Sequence, residues 1–350
     1  MTTHLPAVPA SPVPTRMRAA VLLAPHRIEI QERPTPAPAP DEVLIEVAAV
    51  GVCGSDVHYY EAGRIGDFVV DEPLILGHEV SGRIVAVGAD VDPGRVGERV
   101  AIEPQRPCRR CDQCKHGRYN LCPHMDFYAT PPVDGAFCEY VTIQADFAFP
   151  VPAEISDEAA ALVEPLSVGV WACTRAEVKL GSRVLIAGAG PIGVIAAQAA
   201  RAFGASEVIV SDIADDRLEF VRALGATRTV NPTRESLDGL DVDAFIDASG
   251  SPVAVRSGIQ AVGPAGRVIL VGLGADDVTL PVSHIQNREI WVSGVFRYTN
   301  TWPTAIELVA NGKVDLDSLV TGRFDLAHTE DALNLGKQPG QLKAIVYPGR

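Results

Sequence analysis

The run Gly188-Ala189-Gly190-Pro191-Ile192-Gly193 lies between the apolar stretch 184–187 and an Ala-rich pattern of helical period, PIGVIAAQAARAFG. A G-x-G-x-x-G in that setting is the turn of a parallel βαβ unit: the first glycine permits the tight turn, the second lets a phosphate reach the backbone, and the third lets helix and strand pack closely. Free N–H groups at the helix start supply positive potential for a pyrophosphate. The expectation is a doubly wound domain that holds a dinucleotide through Gly188, Gly190, Pro191, Ile192 and Gly193. Asp212 closes EVIVSD nineteen residues past Gly193. A carboxylate there bonds both ribose hydroxyls of NAD and repels the 2′-phosphate of NADP, so NAD is the expected cofactor. Arg217 is placed with the same cofactor set.

The surrounding text agrees with that turn. From about residue 182, buried strands alternate with helices (RVLIAGAG, EVIVSD then DDRLEFVRALG, AFIDAS, RVILVG), which implies a parallel sheet with right-handed crossovers. Residues 17–149 read differently. Short β-branched runs (RAAVLL, RIEIQE, EVLIEVAAVGV, SGRIVAVG, ERVAIEP, FCEYVTI) are separated by Gly/Pro turns, the pattern of an antiparallel, barrel-like domain. After the strand-like IWVSGVF, the stretch TWPTAIELVANGKV predicts a helix with Thr301 as cap and Pro303 in its first turn, and the chain ends in the strand-like KAIVYP.

At 350 residues the chain is long enough for two domains. Residues 1–15 are rich in Pro, Ser and Thr and lack the apolar core of a secretory signal, so they read as a disordered tail. No apolar stretch approaches the roughly 20 residues needed to cross a bilayer. With 44 acidic and 30 basic residues the formal charge is −14, which repels polyphosphate and anionic lipid and argues against nucleic-acid and membrane partners.

Four of the seven cysteines, Cys108, Cys111, Cys114 and Cys122, fall within fifteen residues. In a chain read as cytoplasmic this is a metal-thiolate pattern rather than a disulfide framework. Four thiolates complete a zinc tetrahedron and leave no open position, so the expected site is structural; an iron–sulfur cluster is the competing occupant. A second set is mixed. Cys53 follows a predicted strand in GVCGSDVHYY, and His78 and Glu79 follow Gly77 in LILGHEV, which together offer the ligand types of a zinc with an open position. Cys138 and Cys173 read as packed core thiols.

These residues resemble the medium-chain zinc-dependent dehydrogenases, and within them the sorbitol/xylitol dehydrogenase branch. The likeness rests on CGSDVHYY, GHEVSG, the four-cysteine lobe, ATPPVDGAFCEY, VEPLSVG, GAGPIG and FRYTNTWPTAI, and runs from about residue 17 onward. It implies an α/β chain with two parts: a GroES-like, mostly β catalytic domain over residues 17–165 and 299–350, with a zinc lobe at about 104–124, and a Rossmann domain over 166–298. Residues 1–16 form the tail.

The same resemblance implies two zinc ions per chain. The catalytic one is held by Cys53, His78 and Glu79, with Glu164 ligating directly or through a water, where alcohol dehydrogenases proper carry a Cys. Ser55 and His58 are implied to pass the alcohol proton outward, with Glu164 as the competing base. Tyr59, Phe127, Thr130, Arg297 and Tyr298 are implied to line a polyol pocket, although Thr299 stands where sorbitol dehydrogenases often carry a Cys. The expected activity is reversible, NAD-linked oxidation of a secondary hydroxyl of a polyol such as xylitol or sorbitol to the ketose, by a cytoplasmic homotetramer or homodimer. Two alternatives stand beside it: the same chemistry on threonine or butanediol, and a non-catalytic dinucleotide-binding protein.

Overall fold

The computed structural model describes residues 13–350. Strand Arg183–Ala187 and helix Pro191–Ala202 flank the glycine-rich turn as expected. Six parallel strands run in the order Arg228–Val230, Glu207–Ser211, Arg183–Ala187, Val242–Asp247, Val262–Leu270, Trp291–Gly294. Numbered along the chain within this sheet, the order is 3-2-1-4-5-6, the doubly wound arrangement. The winding reverses beside strand Arg183–Ala187, which opens a crevice at the carboxyl ends where its turn projects. Val184, Leu185, Ile186, Val208, Ile209 and Val210 are fully buried, because a sheet covered on both faces needs continuous apolar strands.

The glycines of the turn are sterically required. Gly188 has φ +97°, and a Cβ on Gly193 would stand 1.8 Å from the Gly188 carbonyl oxygen, whereas a Cβ on Gly190 would meet nothing within 4 Å. The middle position is therefore the one open to a ligand.

A seven-stranded sheet forms the other half. Its central strand Glu42–Gly51 pairs along one edge with Glu79–Val87. The opposite edge is divided: Tyr140–Gln144 pairs with residues 42–46, and Lys343–Tyr347 pairs with Val50 and Gly51. The last strand thus returns to the sheet that the first half of the chain builds, and Val320–Asp325 joins it in parallel. Helix Val163–Arg175 connects the halves, since one apolar cluster runs from Ala49, Ala101 and Ile345 through Leu166 and Val170 to Val184 and Ile186. Cys173 lies in this cluster and Cys138 in the core of the antiparallel half, both buried.

Three details differ from expectation. The helix expected over 301–314 spans Trp302–Ala310, and Thr301, although at the N-cap, makes no side-chain capping bond, because its backbone is helical (φ −102°, ψ −23°) rather than extended as a cap requires; its hydroxyl is buried without a partner. The tail expected over 1–16 lies outside the described residues up to residue 12. Its end is already ordered: strand Arg16–Ala24 pairs from Arg16 with Pro34, and the Thr35 N–H donates to the Thr15 carbonyl.

Replacing Gly193 with Ala forces backbone apart at the turn. The expected cost is about 2 kcal/mol or more, read as a lowered urea midpoint, and NAD affinity falls with it.

Candidate active site

Where strand Glu42–Gly51 ends, Cys53 caps helix Gly54–Ala62. Asp56, one turn into that helix and fully buried, fastens two loops. Its Oδ2 accepts the Cys53 N–H at 2.9 Å and its Oδ1 accepts the Gly77 N–H at 2.9 Å, with His78 Nδ1 3.5 Å from the same oxygen. Burial alone would raise this carboxyl; the His78 charge and the three donors outweigh burial and hold it below the ordinary range. The result brings Cys53 Sγ, an imidazole nitrogen of His78 and a carboxylate oxygen of Glu79 within 4.8 Å of one another.

Glu79 and Lys343 are both buried in this floor. Lys343 Nζ donates to Glu79 Oε1 at 2.5 Å and to the Val52 carbonyl at 2.7 Å. Burial depresses the ammonium, and the charges of Glu79 and Cys53 outweigh it, so the lysine stays protonated. Glu79 Oε2 has no hydrogen-bond partner, and a Cβ on Gly51 would stand 2.0 Å from it. An orphaned carboxylate oxygen next to a thiol and an imidazole is a donor set that a divalent cation satisfies.

Glu164, in the first turn of helix Val163–Arg175, lies outside the three converging ligands. Tyr298 donates to its Oε1 at 2.8 Å. Burial pushes Glu164 up to about 7, against the lowering charge of His78 and with a further push from Glu79.

Two cavities meet at Cys53. One, of about 450 Å³, is lined by Cys53, His58, Pro191, Ile192, Arg217 and Lys343. Gly188, Gly193 and Asp212 do not line it: the glycines shape the turn, and Asp212 braces it by accepting Ala189 N–H at 2.7 Å and Ala214 N–H at 2.9 Å. The other, of about 410 Å³, is walled by Cys53, Ser55, His58, Tyr59, His78, Phe127, Thr130, Glu164, Ile192 and Arg297. The Arg297 guanidinium lies 3.7 Å from the Phe127 ring centroid, and burial brings its pKa down to about 10. Tyr298, expected in this wall, is fully buried behind it. Arg297 has φ +55°, so the chain turns sharply and sends Arg297 to the cavity and Tyr298 inward, edge-on to Trp302.

The chain is similar to known proteins over most of its length. Residues 39–153 match the alcohol dehydrogenase GroES-like domain and residues 191–311 the zinc-binding dehydrogenase family. The sorbitol dehydrogenase of Bacillus subtilis is 46% identical over 349 residues, 97% of this chain and 99% of that protein. That of Bos taurus is 42% identical over 336 residues, 93% of this chain and 94% of that protein. Among solved structures, L-idonate 5-dehydrogenase of Escherichia coli superposes with a TM-score of 0.90 at 29% identity, covering 95% of this chain and 98% of its own.

The chain belongs to the medium-chain zinc-dependent polyol dehydrogenase family.

As a member of that family it is an NAD-linked oxidoreductase with zinc as its metal. The four thiols of Cys108, Cys111, Cys114 and Cys122 also converge within 4.8 Å, and no disulfide ties up any of them. Two residues of this polyol dehydrogenase site escaped sequence reasoning. Asp56 had a signal, since a carboxylate three residues past Cys53 is capping-box spacing. Lys343 had almost none beyond a charge at the head of an otherwise apolar strand. Among the described residues no helix is long and apolar enough to cross a membrane.

Lys343→Met leaves Glu79 buried without its cation. Metal-free protein is expected to lose about 3 kcal/mol in urea unfolding, and saturating zinc restores part of the loss. Asp212→Ala removes both the brace of the turn and a negative charge at the strand end, so NAD affinity is expected to fall and the NAD-over-NADP ratio of kcat/KM to drop by about tenfold or more.

Proposed function

We propose that this enzyme oxidises a secondary hydroxyl of a polyol, a pentitol or hexitol such as xylitol or sorbitol, to the ketose with NAD as hydride acceptor, reversibly. One observation carries the reading: a single cavity is walled at once by Cys53 and His78 of the metal set, by Ile192 of the dinucleotide turn, and by the guanidinium of Arg297. A simple alcohol gives that guanidinium nothing to bond, whereas the further hydroxyls of a polyol do. The sorbitol dehydrogenases it resembles at 40–46% identity support the same substrate class.

The residues divide the work. Cys53, His78 and Glu79 would hold the catalytic zinc, and Cys108, Cys111, Cys114 and Cys122 a structural one. When bound, the catalytic metal supplies Lewis-acid acidification of the alcohol, and the nicotinamide accepts hydride. Ile192 and Arg217 line the cofactor cavity beside the metal residues. Ser55 lines the substrate cavity, while exposed His58 lines both cavities and donates through Nδ1 to the Gly54 carbonyl at 2.8 Å, so this pair leads a proton outward. Glu164, raised to about 7, is the competing base, able to hold a proton near neutral pH. Tyr59, Phe127 and Thr130 shape the pocket, and Tyr298 positions Glu164.

We assign residues 17–165 and 299–350 to the catalytic domain and 166–298 to the dinucleotide domain, in line with the return of Lys343–Tyr347 to the first sheet. A cytoplasmic homo-oligomer, tetramer or dimer, fits the seven free thiols and the edge strand Trp291–Gly294, on which Trp291 is 68% exposed.

Initial rates of NADH formation over xylitol, sorbitol, ribitol, 2,3-butanediol, threonine and ethanol test the substrate. A polyol is expected to lead; threonine or a simple alcohol leading overturns the reading. Arg297→Met is expected to lower kcat/KM on the best polyol by about tenfold to a hundredfold, the range for lost hydrogen bonds to a charged group, with little change on a simple secondary alcohol.

A further inference from the structure

The segment that carries Arg297 leaves the parallel sheet before it reaches the pocket. Its last ladder bond runs from Val295 N–H to the Leu270 carbonyl, and no regular element begins again until helix Trp302–Ala310. Within this span Arg297 and Asn300 both have φ +55°, a left-handed conformation that an Arg side chain disfavours. Something outside the segment must hold it.

The holding bonds come mainly from the four-cysteine lobe. Asn120 Nδ2 donates to the Phe296 carbonyl at 2.9 Å. The Gly117 carbonyl accepts from Thr299 Oγ1 at 3.0 Å and from Asn300 Nδ2 at 3.1 Å, while the Asn300 N–H donates to the Tyr119 hydroxyl at 2.8 Å. Gln105 adds a bond from its Nε2 to the Tyr298 carbonyl at 3.1 Å and another to the buried Glu103 carboxylate at 2.8 Å. Gly117, Tyr119 and Asn120 all lie between Cys114 and Cys122, two thiols of the converging set, so a metal there fixes both ends of the gripping loop.

We propose that this lobe is a clamp for substrate recognition, in which Tyr119 and Asn120 act as positioning residues that set Arg297 against the pocket and Tyr298 against Glu164. A lobe concerned with stability alone has no need to bond a strained segment that supplies a pocket side chain. The inference rests on Arg297 serving the substrate, as proposed above, for its kinetic consequence but not for its mechanical one.

The two consequences are tested separately. Asn120→Ala removes a donor to a carbonyl and protects no amide directly, so faster hydrogen exchange of amides 297–300, with helix Pro191–Ala202 unchanged, reports release of the segment. A rise of about fivefold or more is expected, the scale of one lost hydrogen bond. Tyr119→Phe, which deletes one oxygen and is the milder variant for folding, is expected to raise KM for the best polyol by a similar factor while KM for NAD and for a simple secondary alcohol stays near wild type. Unchanged exchange over 297–300 overturns the clamp, and so does a rise in KM for both alcohols in step. If the wild-type enzyme turns over no polyol, the substrate reading fails and the exchange measurement alone decides the clamp.

Discussion

The site depends on the pairing of the chain's last strand with its third. Residues 345 and 346 bond to Gly51 and Val50, and that register places Lys343 against Glu79 and the Val52 carbonyl. Glu79 is fully buried, and a carboxylate taken out of water without a cation costs several kcal/mol. Lys343 offsets part of that cost while leaving Oε2 unpartnered, so the floor of the site is held in shape with one carboxylate oxygen still free to ligate. A metal completes it. Breaking the pairing would expose the charge, detach the C-terminal strand and open the sheet that the insertion of the parallel domain presupposes.

A second dependence follows from helix Val163–Arg175. Its apolar side lies in the cluster that joins the two halves, so its first turn is fixed with respect to both the metal set and the dinucleotide turn. Glu164 takes its raised pKa from that burial, and Tyr298, bonded to its Oε1, holds the carboxylate in place. Packing and electrostatics are here one arrangement. The left-handed turn at Arg297 then separates two neighbouring side chains into different tasks, one facing the cavity and one supporting the carboxylate behind it.

Much of this is legible in the amino-acid sequence. The glycine-rich turn with its flanking strand and helix implied the doubly wound sheet because each glycine answers a local steric demand, and the observed 1.8 Å approach at Gly193 is that demand made explicit. The four cysteines converge because their short spacing leaves little freedom, and His78 and Glu79 are adjacent in the chain. Cys173 and Cys138 were recognisable as core thiols from their apolar settings.

What the residues determined alone was therefore local: strand and helix periods, the glycine-rich turn, the thiolate lobe and the residue types of the Cys53, His78 and Glu79 set. What tertiary structure decided was every relation across long sequence separation. Lys343 lies 264 residues from Glu79 and Tyr298 lies 134 from Glu164, and no period or motif encodes such a meeting. The inward placement of Tyr298 and the grip of the lobe on residues 296–300 are of the same kind. They arise where packed elements from distant parts of the chain close the same space, and a buried polar group there must find its partner among whatever the fold brings within reach.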